Sequence, residues 1–233
     1  MIAVFKREFK SYFTSPMGFI ILAVMTVFLS LAFYMIYIQG LPNVANVFNA
    51  MSGILIFIIP FISMRLFSEE KKHKVDQVLL TAPIKITSIV LGKLLAALAV
   101  WSVGLAITII FQFVVATYVS LNWGIFFYAF LGMLLFGAAM IAIGMFFSSL
   151  TESSVIAAAV TVALFVIIML IDGLTQSVDS QFVKTLVSAI SFIQRYGNFV
   201  SGVFSLNDII YYLSITGIFS FLTVCSVSKR RWA

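Results

Sequence analysis

Side chains that could perform catalysis are few in this chain and form no recognisable set. The chain has one His, His73, and one Cys, Cys225. A structural zinc site normally takes four Cys or His ligands, and a serine nucleophile needs a nearby base. His73 stands among lysines, where a solvated surface position is expected, and the motifs G-x-x-x-x-G-K-[ST] and H-E-x-x-H do not occur. The sequence therefore argues against an enzyme, and against a metal or cofactor bound by this chain.

Ionisable groups that could drive coupled transport are also missing from the middle of the apolar segments. Such groups are costly inside a bilayer and are usually functional. Glu152, Asp172 and Asp208 lie at segment ends, and Gln112 is the clearest polar residue within a segment. Interhelical hydrogen bonding is the commoner role for such an amide. A proton- or ion-coupled mechanism is therefore disfavoured.

The elements that must carry any function are membrane helices. Of the 233 residues, 63% are hydrophobic and only 9% are charged, whereas about half the residues of a soluble domain are apolar. Because a spanning helix needs about 20 apolar residues, we predict an all-α integral membrane protein with six transmembrane helices in one domain, residues 1–233. Pro60 is expected to kink the second span. The spans are Met17–Ile38, Val47–Met64, Leu94–Thr117, Gly124–Phe147, Val155–Ile171 and Ile209–Val227.

Two further helices are predicted outside the spans. In Met1–Phe13, aromatic residues recur at three- and four-residue spacing with cations between them, which is typical of a helix lying in the membrane interface. The alternative is a frayed basic tail. Phe182–Ile193 is apolar but too short to span, which favours a short external re-entrant or interfacial helix before the sixth span. The residues assigned to the N-terminal interfacial helix are Phe5, Lys6, Arg7, Phe9 and Lys10.

The distribution of positive charge predicts the orientation. With the N-terminus inside, all but two of the 14 Lys and Arg residues fall on the cytoplasmic side, and the exceptions are Lys184 and Arg195. The positive-inside rule therefore places both termini in the cytoplasm and residues 172–208 outside. This asymmetry explains the net charge of +6, so that nucleic acid is not a predicted partner.

The densest charge in the chain lies in Glu69–Pro83, EEKKHKVDQVLLTAP, between the second and third spans. Its pattern predicts an amphipathic helix that Ser68 caps, with two acids in the first turn and Pro83 as its stop. Glu70 and Lys74 stand four apart in the favourable order. Such a helix could dock in a groove on a partner or lie on the bilayer, and periodicity alone does not separate the two.

The sequence around this stretch resembles that of a known family. From Arg65 it reads RLFSEEKKHKVDQVLLTAPIKITSIVLGKLLAA, with paired acids, basic residues, an acid before L-L-T-x-P, and then L-G-K. This is similar to the coupling-helix region of ABC-2 type transporter permeases, which often have Gly-Thr where this chain has Lys74 and Val75. The N-terminal FKREFKSYFTSPMGFI and the C-terminal SGVFSLNDIIYYLSITGIFSFLTVCSVSKRRW are similar to the gliding-motility branch of that family. The resemblance spans essentially the whole chain.

The resemblance implies a permease subunit of an ATP-binding cassette exporter in a bacterial plasma membrane. ATP and magnesium would be bound by a separate ATPase subunit, in an assembly of two ATPases and two permeases, identical or different. In such permeases the coupling helix inserts into a cleft of the ATPase, and the N-terminal interfacial helix helps to carry the motion to the spans. The implied contact residues are Glu69, Glu70, Asp76, Leu79, Leu80, Thr81 and Pro83.

Two other functions stay open from the sequence. The spans could anchor a cytoplasmic docking helix without moving a substrate, which would make the protein a membrane scaffold. An energy-independent channel or a secondary transporter is the weaker alternative, and titratable groups facing a cavity would favour it. Association with an ATPase would favour the permease.

Overall fold

The computed structural model describes residues 1–38, 45–72, 74, 85–118, 122–174, 191–203 and 205–231. All regular elements within these residues are α-helices, as predicted. In chain order they are α1 (Ile2–Thr14), α2 (Pro16–Ile38), α3 (Ala45–Ser52), α4 (Leu55–Ser63), α5 (Arg65–Lys72), α6 (Ile86–Leu105), α7 (Ile107–Ala116), α8 (Trp123–Leu150), α9 (Ser154–Leu174), α10 (Phe192–Val200) and α11 (Leu206–Arg231).

Five helical stretches in the described part of the chain are long and apolar enough to cross a membrane. They correspond to the first, third, fourth, fifth and sixth predicted spans. The protein is therefore a multi-pass helical membrane protein. The stretches are Pro16–Ile38, Ile86–Ala116, Trp123–Leu150, Ser154–Gly173 and Leu206–Lys229.

The second predicted span, Val47–Met64, is not one continuous helix. α3 ends at Ser52, Gly53 and Ile54 form a turn, and α4 follows. The break therefore lies at Gly53, a residue that costs a helix about 1 kcal/mol relative to alanine, while Pro60 lies inside α4. Neither short helix alone is long enough to span the bilayer, so the six-span topology stays a prediction.

The third span begins earlier than predicted. α6 starts at Ile86, whereas the sequence predicts a start near Leu94, after the last charge. Lys93 therefore does not mark the start of this helix, although it is the last charge before the apolar run. Its side chain is buried within α6, and its charge is paired inside the protein.

α8 is the central helix of the bundle. In its most apolar stretch 67% of the residues are buried, against 17% in α2, in α9 and in α11. The fully buried Trp101 of α6 donates its indole N–H to the Met133 carbonyl of α8, with 3.3 Å between Nε1 and O. The outer helices instead expose large apolar side chains such as Phe19, Leu170 and Phe221, which suits surfaces in contact with lipid.

A glycine of α8 permits the closest helix approach at this centre. A Cβ at Gly144 would lie 2.0 Å from Oγ and 2.7 Å from Cβ of Ser63 in α4, and 3.3 Å from Cγ2 of Thr161 in α9. Three helices therefore meet at a point where no side chain larger than hydrogen fits without movement.

A short helix precedes the last span, and the helix that the sequence predicts over Phe182–Ile193 stays a prediction. The predicted helix over Phe182–Ile193 falls mostly outside the described residues, and the observed helix is α10, Phe192–Val200. Ser191 begins it, since its Oγ accepts a hydrogen bond from the Gln194 N–H (3.0 Å).

Polar contacts tie α10 to the neighbouring spans. Arg195 Nη1 and Asn198 Nδ2 each lie 2.8 Å from a carboxylate oxygen of Asp208, in the first turn of α11. The Ile193 N–H donates to Asp172 Oδ2 of α9 (3.1 Å). Asp208 therefore links α10 to α11, and Asp172 links α10 to α9. Both acids lie at the ends of apolar segments, as the sequence indicates.

Candidate functional site

The candidate site lies where α1, α5 and the first half of α6 meet the last turns of α8. Only Met64 separates α4 from α5, and the first amides of any helix lack an acceptor within it. Ser148 of α8 satisfies two of them, because its Oγ accepts from the N–H groups of Phe67 and Ser68 (both 3.1 Å). The same hydroxyl donates to the Met64 carbonyl (2.7 Å). α5 is therefore capped by a residue of another helix.

We expect Ser148→Ala to lower the free energy of unfolding by about 1–3 kcal/mol, because it leaves buried backbone groups without a partner. Ser148 is fully buried. The measurement is the thermal unfolding midpoint of the purified protein in detergent. Ser201→Ala is the matched control, since that exposed hydroxyl donates to the Gly197 carbonyl of its own helix (2.9 Å). Equal shifts in the two variants would contradict the cap.

A buried lysine joins three helices at this place. The Lys93 ammonium lies 2.9 Å from Oε2 of Glu70 in α5 and 3.4 Å from Oε1 of Glu8 in α1. It also donates to the Leu66 carbonyl (2.6 Å) and lies 5.0 Å from the centre of the Phe67 ring. The side chain of Lys93 is only 1% exposed. A single buried cation thus connects α1, α5 and α6.

Arg7 is the second cation of this group. Its Nη2 lies 2.6 Å from Oε1 of Glu8 and 2.7 Å from Oε1 of Glu70. We call Arg7, Glu8, Glu70 and Lys93 the ion cluster. Burial lowers the pKa of Arg7, but the hydrogen bonds and negative charges of Glu8 and Glu70 outweigh it and raise the pKa above its ordinary value. Because the Arg7 side chain is 48% exposed, its pairs contribute less to stability than those of Lys93.

Two neutral contacts hold α1 beside the ion cluster. The Tyr12 hydroxyl donates to the Ile62 carbonyl of α4 (2.8 Å), and burial raises the pKa of Tyr12, so that it stays a donor. A Cβ at Gly92 would lie 3.0 Å from Cβ of Val4 and 3.2 Å from the Met1 carbonyl oxygen. Glycine therefore lets α1 lie close against α6, and α1 is fixed to the bundle along its length.

A cavity of about 260 Å³ lies between α1 and α5 beside the ion cluster. Its basic and acidic side chains are equal in number, so it has no net charge that would attract a ligand of one sign. We therefore interpret it as part of a joint between helices and not as a ligand site. Its walls are Arg7, Glu8, Ser11, Tyr12, Arg65, Leu66, Glu69, Glu70 and Lys93.

The far end of α5 is also attached to the spans. The Lys71 ammonium donates to the Ser149 carbonyl at the end of α8. The Ser149 hydroxyl in turn bonds Ser226 of α11, with 3.1 Å between the two oxygens. α5 is therefore tied to α6, α8 and, through Ser149, to α11.

Two of the predicted ATPase-contact residues, Glu69 and Glu70, lie in α5. Both pair with cations of the same chain, Glu69 with Arg65, and Glu70 with Arg7 and Lys93. Their role in binding a partner stays a prediction. The other five predicted contacts lie outside the described residues: Asp76, Leu79, Leu80, Thr81 and Pro83.

The predicted start of the coupling helix is wrong. α5 begins at Arg65, so Ser68 lies inside the helix and its hydroxyl donates to the Met64 carbonyl. Glu69 and Glu70 consequently lie beyond the first turn. The cap of this helix comes instead from Ser148, which is 80 positions away from Ser68 in sequence. A local sequence pattern does not reveal such a distant partner, and it therefore pointed to Ser68.

The predicted helix also does not continue through Lys74. α5 ends at Lys72, and Lys74 has a φ of 57°, in the left-handed region that glycine adopts most easily. Its N–H bonds the Lys71 carbonyl (3.0 Å). The predicted Glu70–Lys74 pair is therefore wrong, since Glu70 faces Lys93 and Arg7. The glycine that ABC-2 permeases often have at the position of Lys74 would adopt this conformation without strain.

The N-terminal interfacial segment is a helix, as predicted. The rings of Phe5 and Phe9 stack with 5.8 Å between their centres, and Lys6 and Lys10 are exposed. Arg7 lies in the ion cluster. The position of α1 at the membrane interface stays a prediction.

Sequence reasoning missed Glu8, Lys93 and Ser148 as site residues. A signal existed for two of them. Glu8 is the only acid before Glu69, and Lys93 is the only charge between Lys85 and Glu152. An isolated charge beside a long apolar run marks either the edge of the bilayer or a group that is paired inside the protein. No comparable signal distinguishes Ser148 from the other serines.

The fold and the site define the class of the molecule: an all-helical, multi-pass membrane protein in which a short helix between spans is fixed to the N-terminal helix. Residues 1–196 match the ABC-2 type transporter family. The chain therefore belongs to that family and is a membrane permease subunit of an ABC transporter, a kind of subunit that is not itself catalytic. Comparison with curated protein sequences finds no match. The gliding-motility branch stays a prediction.

Proposed function

We propose that this chain is the permease subunit of an ATP-driven exporter in a bacterial plasma membrane. A separate ATPase subunit binds ATP and magnesium, and a second permease subunit completes the translocation path. α3 and α4 together form the second of six crossings, and both termini face the cytoplasm. The observation that carries the proposal is the family match over residues 1–196, since permeases of this family typically work with an ABC ATPase.

The connections of α5 provide a route for motion in this proposal. The segment after α5 contains the predicted docking residues, and α5 itself is bound to α1 and α6 by the ion cluster and to α8 by the Ser148 cap. Separating a buried charge from its partner, or a capped amide from its acceptor, costs several kcal/mol. These helices are therefore expected to move together. Displacement of the docking segment by the ATPase is thereby passed to the N-terminal helix and to two spans at once.

A secondary transporter is the second candidate, because the ion cluster places titratable groups beside a cavity. Two observations favour the permease. Lys93 lies only about 10 Å from the start of α6, at 1.5 Å per residue, whereas coupling-ion sites lie near the bilayer midplane. The charges of the cluster also balance within the protein, so no proton or ion is needed to neutralise them.

Co-purification tests the proposal. Wild-type permease expressed with an ABC ATPase of the same cell is expected to retain it in mild detergent. We expect Asp76→Lys combined with Leu80→Asp to lose it, because losing a central interface contact costs about 2 kcal/mol or more, roughly 30-fold in affinity. Glu152→Lys is the matched control, since this exposed acid lies in another turn on the same predicted side.

Failure of the wild type to retain any ATPase would contradict the proposed coupling to an ATPase subunit. Retention by the double variant would contradict docking through this segment alone. Substrate uptake that continues without ATP but follows a proton gradient would favour the secondary transporter.

A further inference from the structure

A second cavity opens on the side of the bundle between the first half of α2 and α4. Its volume is about 530 Å³. Ile21 and Ile58 are buried and form its floor, whereas Ile20 and Phe57 are both 56% exposed at its rim. All of its lining residues are apolar: Met17, Ile20, Ile21, Val24, Phe28, Ile54, Phe57, Ile58 and Phe61.

This lining decides what the groove can hold. Ligand cavities in proteins measure about 300–1,000 Å³, but they normally include a few polar groups that orient the ligand. Among the described lining residues no side chain offers a hydrogen bond, so the part of a ligand inside the groove is expected to be hydrocarbon. An unfilled apolar void would forfeit dispersion contacts on every wall. α2 is one of the candidate spans, and α4 belongs to the proposed second crossing, where acyl chains would be the surrounding hydrocarbon.

One end of the groove lies next to a cation. Met17 lines the groove two residues after Ser15, and Phe61 lines it one turn before Arg65. Arg65 Nη1 donates to Ser15 Oγ (3.4 Å), which places the guanidinium at the end that Met17 and Phe61 define. A guanidinium has five N–H donors, and the hydrogen bonds of Arg65 within the described residues, to Ser15 and Glu69, engage Nη1 and Nε.

Basic side chains outnumber acidic ones at this end, because Glu69 pairs with Arg65 while Lys6 and Lys10 add two further positive charges nearby. The Arg65 side chain is 25% exposed, so it is within reach of a group at the membrane surface. Lys6 and Lys10 are exposed on α1, the helix that leads into α2 through Ser15. Each cation close to a membrane surface contributes about 1 kcal/mol of attraction to anionic lipid. A zwitterionic head group would gain less from the same residues.

From this combination we propose that the groove between α2 and α4 binds one acyl chain of an anionic phospholipid whose phosphate lies at Arg65. The hydrocarbon tail occupies the apolar part, and the guanidinium donates to the phosphate at its end. The proposal depends on the spans lying in a bilayer but not on the ATPase, so a failed co-purification would leave it unaffected.

Filling the groove tests the tail site. Val24 lines the groove and is 39% exposed, and we expect Val24→Trp to displace the acyl chain. Leu31→Trp is the matched control, because Leu31 lies on the same helix and is 51% exposed but does not line the groove. Phospholipid bound per protein is measured by mass spectrometry after washing in mild detergent. We expect wild type and Leu31→Trp to retain equal amounts, and Val24→Trp about tenfold less, equivalent to about 1.4 kcal/mol.

Head-group choice tests the cationic end. Nanodiscs containing equal amounts of phosphatidylglycerol and phosphatidylcholine supply the lipid, and the retained species are identified after extraction. We expect the wild type and Arg65→Lys to retain mainly phosphatidylglycerol. Arg65→Gln should retain a clearly smaller excess of it, because only Lys6 and Lys10 then attract the anionic lipid.

Three results would overturn the proposal. Val24→Trp could retain as much phospholipid as the wild type, which would exclude a tail in the groove. The wild type could retain both head groups equally, which would exclude the phosphate contact. Val24→Trp could also convert a dimer to a monomer without changing the bound lipid, which would show that a second copy of the chain covers the groove.

Discussion

Lys93→Met is expected to destabilise the protein by about 3–5 kcal/mol, the usual cost of removing one partner from a buried ion pair. The ammonium of Lys93 is 1% exposed and contacts both Glu8 and Glu70. Methionine is similar in length but leaves the two carboxylates facing each other with only the half-exposed Arg7 as counter-ion. The thermal unfolding midpoint in detergent measures the effect. If the proposed coupling is correct, the stimulation of the bound ATPase falls as well.

Two further variants make this result specific to the ion cluster. Lys85→Met removes an exposed lysine just before α6 and should leave the midpoint unchanged. In the Lys93→Met background, Glu70→Gln removes one of the two carboxylates that have lost Lys93, so that Arg7 faces a single carboxylate. It should restore part of the stability, as coupled neighbours do. Equal destabilisation by Lys85→Met and Lys93→Met, or no recovery in the double variant, would show that the cluster does not hold these helices together.

Gly144→Ala is the second substitution with a large expected effect. The new Cβ would lie 2.0 Å from Ser63 Oγ and 2.7 Å from Ser63 Cβ. Ser63 is fully buried and its Cβ is fixed to the backbone of α4, so relief requires α4 and α8 to separate. Overpacking of a close contact costs about 1–3 kcal/mol. We expect a lower unfolding midpoint and less folded protein recovered from the membrane.

The control for this substitution is a glycine with free space around it. Gly217 lies in α11, and a Cβ there would meet nothing within 4 Å. Gly217→Ala should stabilise that helix, since alanine is favoured over glycine by about 1 kcal/mol inside helices. A harmless Gly144→Ala would mean that α4 does not lie against α8 at this point.

The helices that follow from local signals were predictable. α2 begins at Pro16, where a proline suits the first position of a helix, and its long uncharged run has no competing interpretation. The second span was harder because it contains two helix breakers, Gly53 and Pro60. Intrinsic propensity ranks proline as the stronger helix breaker, yet the break lies at Gly53 and Pro60 stays inside α4.

The site was predictable only in part, because residues that contact each other there are far apart in the sequence. The acids of α5 stood out in the sequence, and the family resemblance pointed to the same segment. The cations of Glu70 could not be identified, because Arg7 lies 63 positions from it in sequence. Lys93 looked like a boundary of the bilayer, since a charge beside an apolar run usually marks one. Its true surroundings depend on Glu8, which a different helix supplies.

The ion cluster also imposes an order on biosynthesis. Arg7 and Glu8 leave the ribosome before the first span, whereas Glu70 follows Arg7 by 63 positions and Lys93 comes later still. A nascent chain that has inserted only α2 thus has its N-terminal helix without two of the four charges that fix it. The contacts of α1 with α4 and α5 can form earlier, but the ion cluster is complete only after α6, which carries Lys93, has been made.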